Sequence, residues 1–292
     1  MKISNRSSAD RLKENKLLIW LFGLTALALL CATGLFGNGL ITRAYSLSYT
    51  NLPPQMDGLT ILSLADLHTH VFGENQRELI EAVNAQSPDL IILTGDVVDK
   101  RTTDIGPVCD LLSGISKTAP IYAISGNHEQ SNLELFEALK ALYREYDVQF
   151  MDGESVLFER DGAAIEIIGA TILRNESGHF WADNSQHPQT VSRFSLLLDH
   201  YGDEFDDISD QYDLILTGHA HGGIVRIFGL GLFTNMGSLF PKYTRGAYTK
   251  NNGSTMVLSA GLGDSILPRF QNPRELVKVV LHASSSEEAV KS

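Results

Sequence analysis

Five short stretches of the chain carry residues suited to gripping a cation. They are Asp66-x-His68, Gly95-Asp96-x-x-Asp99, Gly126-Asn127-His128-Glu129, a lone His200 after FSLLLD, and Gly218-His219-x-His221. Taken one at a time, each has an ordinary explanation. A D-x-H or a GD pair is common, Gly126-Asn127 suits a turn with positive φ, and GHAHGG suits a glycine-rich hairpin. Their shared placement is less ordinary. Five of the nine histidines stand at the ends of apolar runs, alongside two aspartates and an asparagine. No HExxH motif occurs, which argues against a helix-borne zinc protease.

The apolar runs are the elements that must position these groups. LTILSLAD (59–66), DLIILTGD (89–96), PIYAISGNH (120–128) and YDLILTGHAH (212–221) read as strands buried on both faces. Helical patterns at 73–87, 104–117 and 131–146 alternate with them, the last with Ser131 as an expected cap and Glu134 completing a capping box. Further strands are expected at 155–160, 164–170, 223–229, 254–260 and 275–283, and an irregular segment at 171–193. Strand–helix alternation implies an α/β domain, and open α/β sheets bind ligands beyond the carboxyl ends of their strands. The five stretches can therefore meet in space.

In order, D-x-H, GD-x-x-D, GNH-E, a lone histidine and GH-x-H resemble the calcineurin-like metallophosphoesterases over residues 59 to about 283. LPPQMDGLTILSLADLH, FPKYTRGAYT and GLGDSILPRFQNPREL are similar to segments of that family's bacterial membrane-associated, YkuE-type branch. The resemblance implies an α/β fold, a four-layer αββα sandwich with a dinuclear centre. It implies that Asp66, His68 and His221 bind one metal, that Asn127, His200 and His219 bind the other, and that Asp96 bridges them. Carboxylate, imidazole and amide oxygen without cysteine suit two divalent ions of Mn, Fe or Zn. By the same resemblance a hydroxide shared by the metals attacks phosphorus in line. His128 protonates the leaving oxygen and Asp99 holds the His128 ring, although Asp99 also suits a helix N-cap. One departure concerns phosphate capture. Lys100-Arg101 follow GD-x-x-D where the protein-phosphatase branch has an arginine. His70, His179, His187 and His282 match nothing in the pattern and read as exposed or structural.

Ahead of the domain, Leu17–Phe36 is a twenty-residue run with no charge and no polar face, about 30 Å long as a helix. We read residues 17–38 as an uncleaved transmembrane anchor, with a cleaved signal peptide as the alternative. Five Lys/Arg precede the run and only Arg43 follows closely, which places residues 1–16 in the cytoplasm and the domain outside. Residues 39–58, with Pro53-Pro54, read as an extended linker, residues 59–283 as the catalytic domain, and 284–292 as a disordered tail. With a net charge of −12 overall and +3 in residues 1–16, the remainder carries −15, which makes it a poor nucleic-acid binder, and no nucleic-acid partner is expected. The expected activity is hydrolysis of phosphate esters or pyrophosphates on a small-molecule or lipid-linked substrate, at a bilayer. The alternative is a non-catalytic, metal-stabilised membrane protein that binds phospho-ligands.

Overall fold

A computed structural model describes residues 39–174, 180–183, 193–234, 238–264 and 267–284, with 15–16, 18–25 and 28–29 of the N-terminal segment. Among the described residues no helix is long and apolar enough to cross a membrane. Part of the run expected to do so lies outside them, as do residues 285–292, His179 and His187.

The first half alternates as its apolar runs require. Strands β1 (Leu40–Tyr49), β2 (Thr60–Leu64), β3 (Leu90–Thr94), β4 (Ile121–Ile124) and β5 (Gln149–Phe150) are interleaved with helices α1 (Arg77–Asn84), α2 (Gly106–Ile115), α3 (Asn127–Ser131) and α4 (Leu133–Glu145). In the second half come β6 (Ser155–Arg160), β7 (Ala163–Gly169), β8 (Thr171–Arg174), β9 (Phe180–Asp183) and β10 (Ser195–Leu198). They are followed by α5 (Phe205–Ile208), β11 (Leu214–Thr217), β12 (Arg226–Ile227), β13 (Leu230–Gly231), β14 (Gly246–Thr249), β15 (Thr255–Leu258) and β16 (Arg274–Ala283). Two mixed six-stranded sheets result, ordered β1-β16-β2-β3-β4-β5 and β14-β15-β11-β10-β7-β6.

Side-chain alternation along the strands sorts the core into layers. Ile61, Ile92, Ile124, Ile167, Leu198, Leu216 and Val279 point into the space between the sheets. Leu62, Leu64, Ile91 and Leu93 point the other way, onto α1, α2 and α4. Ile168, Leu197, Ile215 and Met256 cover the far face of the second sheet with Phe205 and Ile208 of α5. β2, β3 and β4 run parallel, as do β7, β10, β11 and β15. The carboxyl ends of β2, β3 and β4 open onto the same loops as those of β10 and β11.

Several expectations need correcting. The linker expected over 39–58 contains a full strand: β1 pairs with β16 in parallel from Leu40↔Arg274 to Tyr49↔Ala283. Its Arg43, Tyr45, Leu47 and Tyr49 alternate with more exposed residues, and Tyr45 and Leu47 pack on the inter-sheet core. Ser131 does not cap the helix after it. Residues 127–131 form their own turn, Ser131 Oγ donates to Asn127 O (2.7 Å), and the Asn132 side chain accepts from Leu135 N instead. The strand expected at 223–229 is only the two-residue β12 of a tight hairpin with β13, because Gly222, Gly223 and Gly229 turn the chain with positive φ. The segment 171–193, expected to be irregular, holds the β8–β9 hairpin.

Candidate metal centre

Each ligand-type residue sits in the loop just past a strand. Asp66 and His68 follow β2, Asp96 and Asp99 follow β3, Asn127 and His128 open α3 after β4, His200 follows β10, and His219 and His221 follow β11. The loops are stitched to one another through their backbones. Asp66 N donates to Gly95 O (3.1 Å), and His68 N to Asp96 O (3.0 Å). His219 N donates to both Asp66 carboxylate oxygens at 3.0 Å. Asp66, His68, Asp96, His219 and His221 all have φ between 46° and 66°. That left-handed region is costly for non-glycine residues, by about 1–3 kcal/mol each. The loop stitching holds them there, and such strain clusters where side chains must be aimed. Gly218 supplies room: a Cβ there would lie 2.6 Å from Asp66 Oδ2, and one on Gly126 would collide with Asp96 Oδ1.

Three groups of ligand atoms lie close together: Asp66/His68/His221 and His68/Asp99/His128, which share His68, and Asp96/His200/His219. Around His200 Nε2 stand Asn127 Oδ1 and His219 Nδ1 at 3.1 Å each and Asp96 Oδ2 at 3.3 Å. One N–H cannot serve three such neighbours at once, whereas a cation held among the four can. His68 Nε2 and His221 Nε2 face each other at 3.1 Å, with Asp96 Oδ2 3.9 Å from the former. Asp96 Oδ2 thus lies between the two groups, while its Oδ1 accepts from His128 N (2.8 Å). The seven residues expected as ligands are brought together, and the donor set fits divalent cations of the Mn, Fe or Zn kind.

Electrostatics keeps three of the histidines in the ligating form. Burial pushes His68 down to about 4, His219 to about 3 and His221 well below its usual range, so all three rings are neutral near pH 7. Burial would also lower His200, but Asp96 beside it overrides this and raises the ring to about 10. Conversely, burial would raise Asp96, and His200 holds its carboxyl well below the usual carboxylate range. Burial lifts Asp66 to about 7. The charge on His200 thus stands among the same groups that would surround a cation. The His200 Nδ1 donates to Thr94 O (2.9 Å), which fixes the ring so that Nε2 faces the site.

His128 lies at the rim. Its Nδ1 is 3.2 Å from Asp99 Oδ2 and accepts from Lys100 N (3.1 Å), and its Nε2 is 4.0 Å from Asp96 Oδ2. The ring crosses that of His68 edge-on at 4.7 Å. Asp99 caps no helix, since α2 begins at Gly106. Its Oδ1 takes Arg101 N (2.8 Å) and Nε (2.9 Å), so Arg101 closes on Asp99 and not on the space over the metal ligands. His70 stands outside the cluster, 3.5 Å from Asp264, and His282 pairs with Asp57.

Two supports carried no assigned role in the sequence. Glu129, buried, accepts from Gly126 N (2.8 Å), Asp96 N (2.9 Å) and Val98 N (3.2 Å), and so clamps the GD loop to the GNH loop. The signal was the acidic residue closing GNHE. Asn272, from the PRFQN stretch, is fully buried and donates to His221 O (2.7 Å) and Ile224 O (3.2 Å). Neighbouring Arg269 binds the carbonyls of Gly261 and Gly263. No periodicity marks such residues, because their partners are distant backbone atoms.

A fold of two mixed sheets with histidines and aspartates converging at the strand ends defines a metallophosphoesterase, and a family model described as calcineurin-like phosphoesterase matches residues 59–223. The chain belongs to the calcineurin-like phosphoesterase family, whose members are metal-dependent phosphoric ester hydrolases. Among its relatives, the metallophosphoesterase YkuE of Bacillus subtilis (strain 168) is 26% identical over 296 residues, covering 94% of this chain and 99% of YkuE. YkoQ of the same organism is 31% identical over 180 residues, 58% of this chain and 63% of its own length. The phosphodiesterase YaeI of Escherichia coli (strain K12) is 29% identical over 178 residues, 57% of this chain and 62% of YaeI. The chain thus spans nearly all of YkuE but less than two thirds of YkoQ and YaeI.

Proposed function

We propose that this chain hydrolyses phosphoric esters at a dinuclear metal centre, with its domain tethered outside the cytoplasmic membrane by residues 17–38. The convergence of Asn127, His219 and Asp96 on His200 Nε2, beside the facing rings of His68 and His221, supports the reading most directly. Asp66, His68 and His221 would hold one cation and Asn127, His200 and His219 the other, with Asp96 shared. Such cations supply Lewis acidity toward phosphoryl oxygens and lower the pKa of the attacking water.

The chain's own groups do the rest. Asp96 keeps one oxygen toward both sets of ligands because its other oxygen is occupied by His128 N. His128 gives a proton from Nε2 to the leaving oxygen, its charged ring held from behind by Asp99, whose Oδ2 accepts from Nδ1. Glu129 and Asn272 keep the loops in register. The name phosphodiesterase on YaeI supports including diesters among the substrates, and the anchored reading favours phosphoesters met near a membrane.

The test is hydrolysis of p-nitrophenyl phosphate and bis-p-nitrophenyl phosphate by the full chain in detergent, with Mn²⁺ and after chelation. We expect Mn²⁺-dependent turnover of at least one ester. A metal-replete chain that hydrolyses neither, or does so equally after chelation, would sink the proposal.

A further inference from the structure

At the mouth of the site the chain holds large apolar side chains out in solvent. Phe228 is 95% exposed, Leu239 73%, Phe240 72% and Leu230 66%. The four lie on two adjoining turns. Phe228 is at the tip of the β12–β13 hairpin, and Phe240 N donates to Leu232 O just past β13 (2.8 Å). Scattered surface leucines mean little, but neighbouring exposed aromatics mark an interaction surface. Both phenylalanines are also strained, with φ of 50° and 51°, a rare conformation for bulky residues. The tip is braced from below: buried Arg226 donates to the carbonyls of Gly222 and Gly229. The fold thus holds these rings outward against both water and backbone preference.

Chain topology says what they face. β16 runs antiparallel to β2, so its first residue, Arg274, lies at the site end of the sheet. β1 is parallel to β16 and starts there too, with Arg274 N donating to Gly39 O (3.2 Å). Gly39 is three residues beyond Phe36, the end of the uncharged apolar run. The segment just before β16 ties to the base of the exposed hairpin through Arg226 N to Phe270 O (2.9 Å) and Asn272 to Ile224 O. Gly39 at the start of β1, the exposed tips and the metal ligands therefore share one end of the molecule. A cavity of about 150 Å³ lined by His219, Thr234, Ser238 and Tyr243 lies beside the tips.

We propose that Phe228, Leu230, Leu239 and Phe240 form a docking surface for a lipid bilayer, which sets the mouth of the site at the headgroup layer. The proposal rests on the anchored reading of residues 17–38 for which face meets the lipid. A mouth held there meets phosphoesters on lipid headgroups directly. Since the portion after residue 16 carries −15, contact comes from apolar side chains and not from charge, so it persists on zwitterionic lipid and at high salt.

The test uses the full chain in phosphatidylcholine vesicles with brominated acyl chains, which quench tryptophan on contact. Native Trp20, left alone by W181F, reports the apolar run. F228W in a W20F/W181F background reports the tip, and F240W in the same background repeats the reading on the second turn. We expect both tip reporters to lose about half their emission or more when bromines lie near the headgroup boundary, within the ~5–10 Å reached by interfacial side chains. The loss should be unchanged by salt. Trp20 quenched with both tips unquenched overturns the docking surface and leaves the anchor standing; the tips are then covered by the N-terminal run or a second copy, or face water. Tips quenched with Trp20 unquenched keeps the docking surface and removes the anchor. No quenching at any of them overturns both.

Discussion

His128 stands one residue past Asn127, yet the two side chains diverge at the start of α3. Asn127 Oδ1 turns to His200, while the His128 ring turns to Asp99. This predicts that H128N keeps its metal and loses rate by about 10²–10⁴, the range for a positioned acid. Nitrophenyl esters, whose leaving group departs without a proton, should suffer least and alkyl esters most. Equal losses on both, or lost metal, would assign His128 a structural or ligating role instead. Glu129 makes a different prediction. Replacing its buried carboxylate with an amide in E129Q sets N–H donors against backbone N–H donors. Thermal unfolding should show a loss of about 1–3 kcal/mol together with weaker metal binding; a variant as stable as the parent would mean the two loops are clamped by something else.

His200 and Asp66 predict proton release. Without metal, His200, raised to about 10, and Asp66, raised to about 7, both hold protons that a cation must displace. Loading Mn²⁺ should expel roughly two protons per chain at pH 6, falling to roughly one at pH 8 as Asp66 ionises by itself. Calorimetric titration in buffers of different ionisation enthalpy measures this directly. Release that is absent, or that grows as pH rises from 6 to 8, would contradict the assignment of these two groups.

At the scale of elements, the sequence spoke clearly where burial was two-sided. The runs at 59–66, 89–96 and 212–221 have no polar face, so strand type and the ligand positions at their ends were readable together. β1 is harder to see as a strand, although ITRAYSLSYT alternates with the period of two that a half-buried edge strand shows. Its partner, β16, lies more than two hundred residues away, and the nearby Pro53-Pro54 suggested an extended connection. The left-handed ligands were unreadable for another reason: aspartate and histidine carry no sequence mark of positive φ as glycine does. β1 supplies the prediction at this scale. A chain trimmed to residue 39 should unfold cooperatively, whereas one trimmed to residue 59, where the family match begins, should not, because β16 would lose its parallel partner. Equal unfolding profiles would show that β1 is dispensable.

For the whole molecule, the basic flank of residues 1–16 predicts a domain outside the cytoplasmic membrane. Protease added to intact, wall-stripped cells should then remove it, and cleavage only after lysis would reverse the orientation. The proposed hydrolysis requires two cations that share Asp96. The most direct measurement is metal content per chain by elemental analysis at saturating Mn²⁺, on the wild-type protein and on D96N. Two ions per wild-type chain, and fewer than two in D96N, is the expected result. One ion or none in the wild-type protein, or two retained in D96N, would contradict the shared dinuclear centre on which the proposed hydrolysis depends.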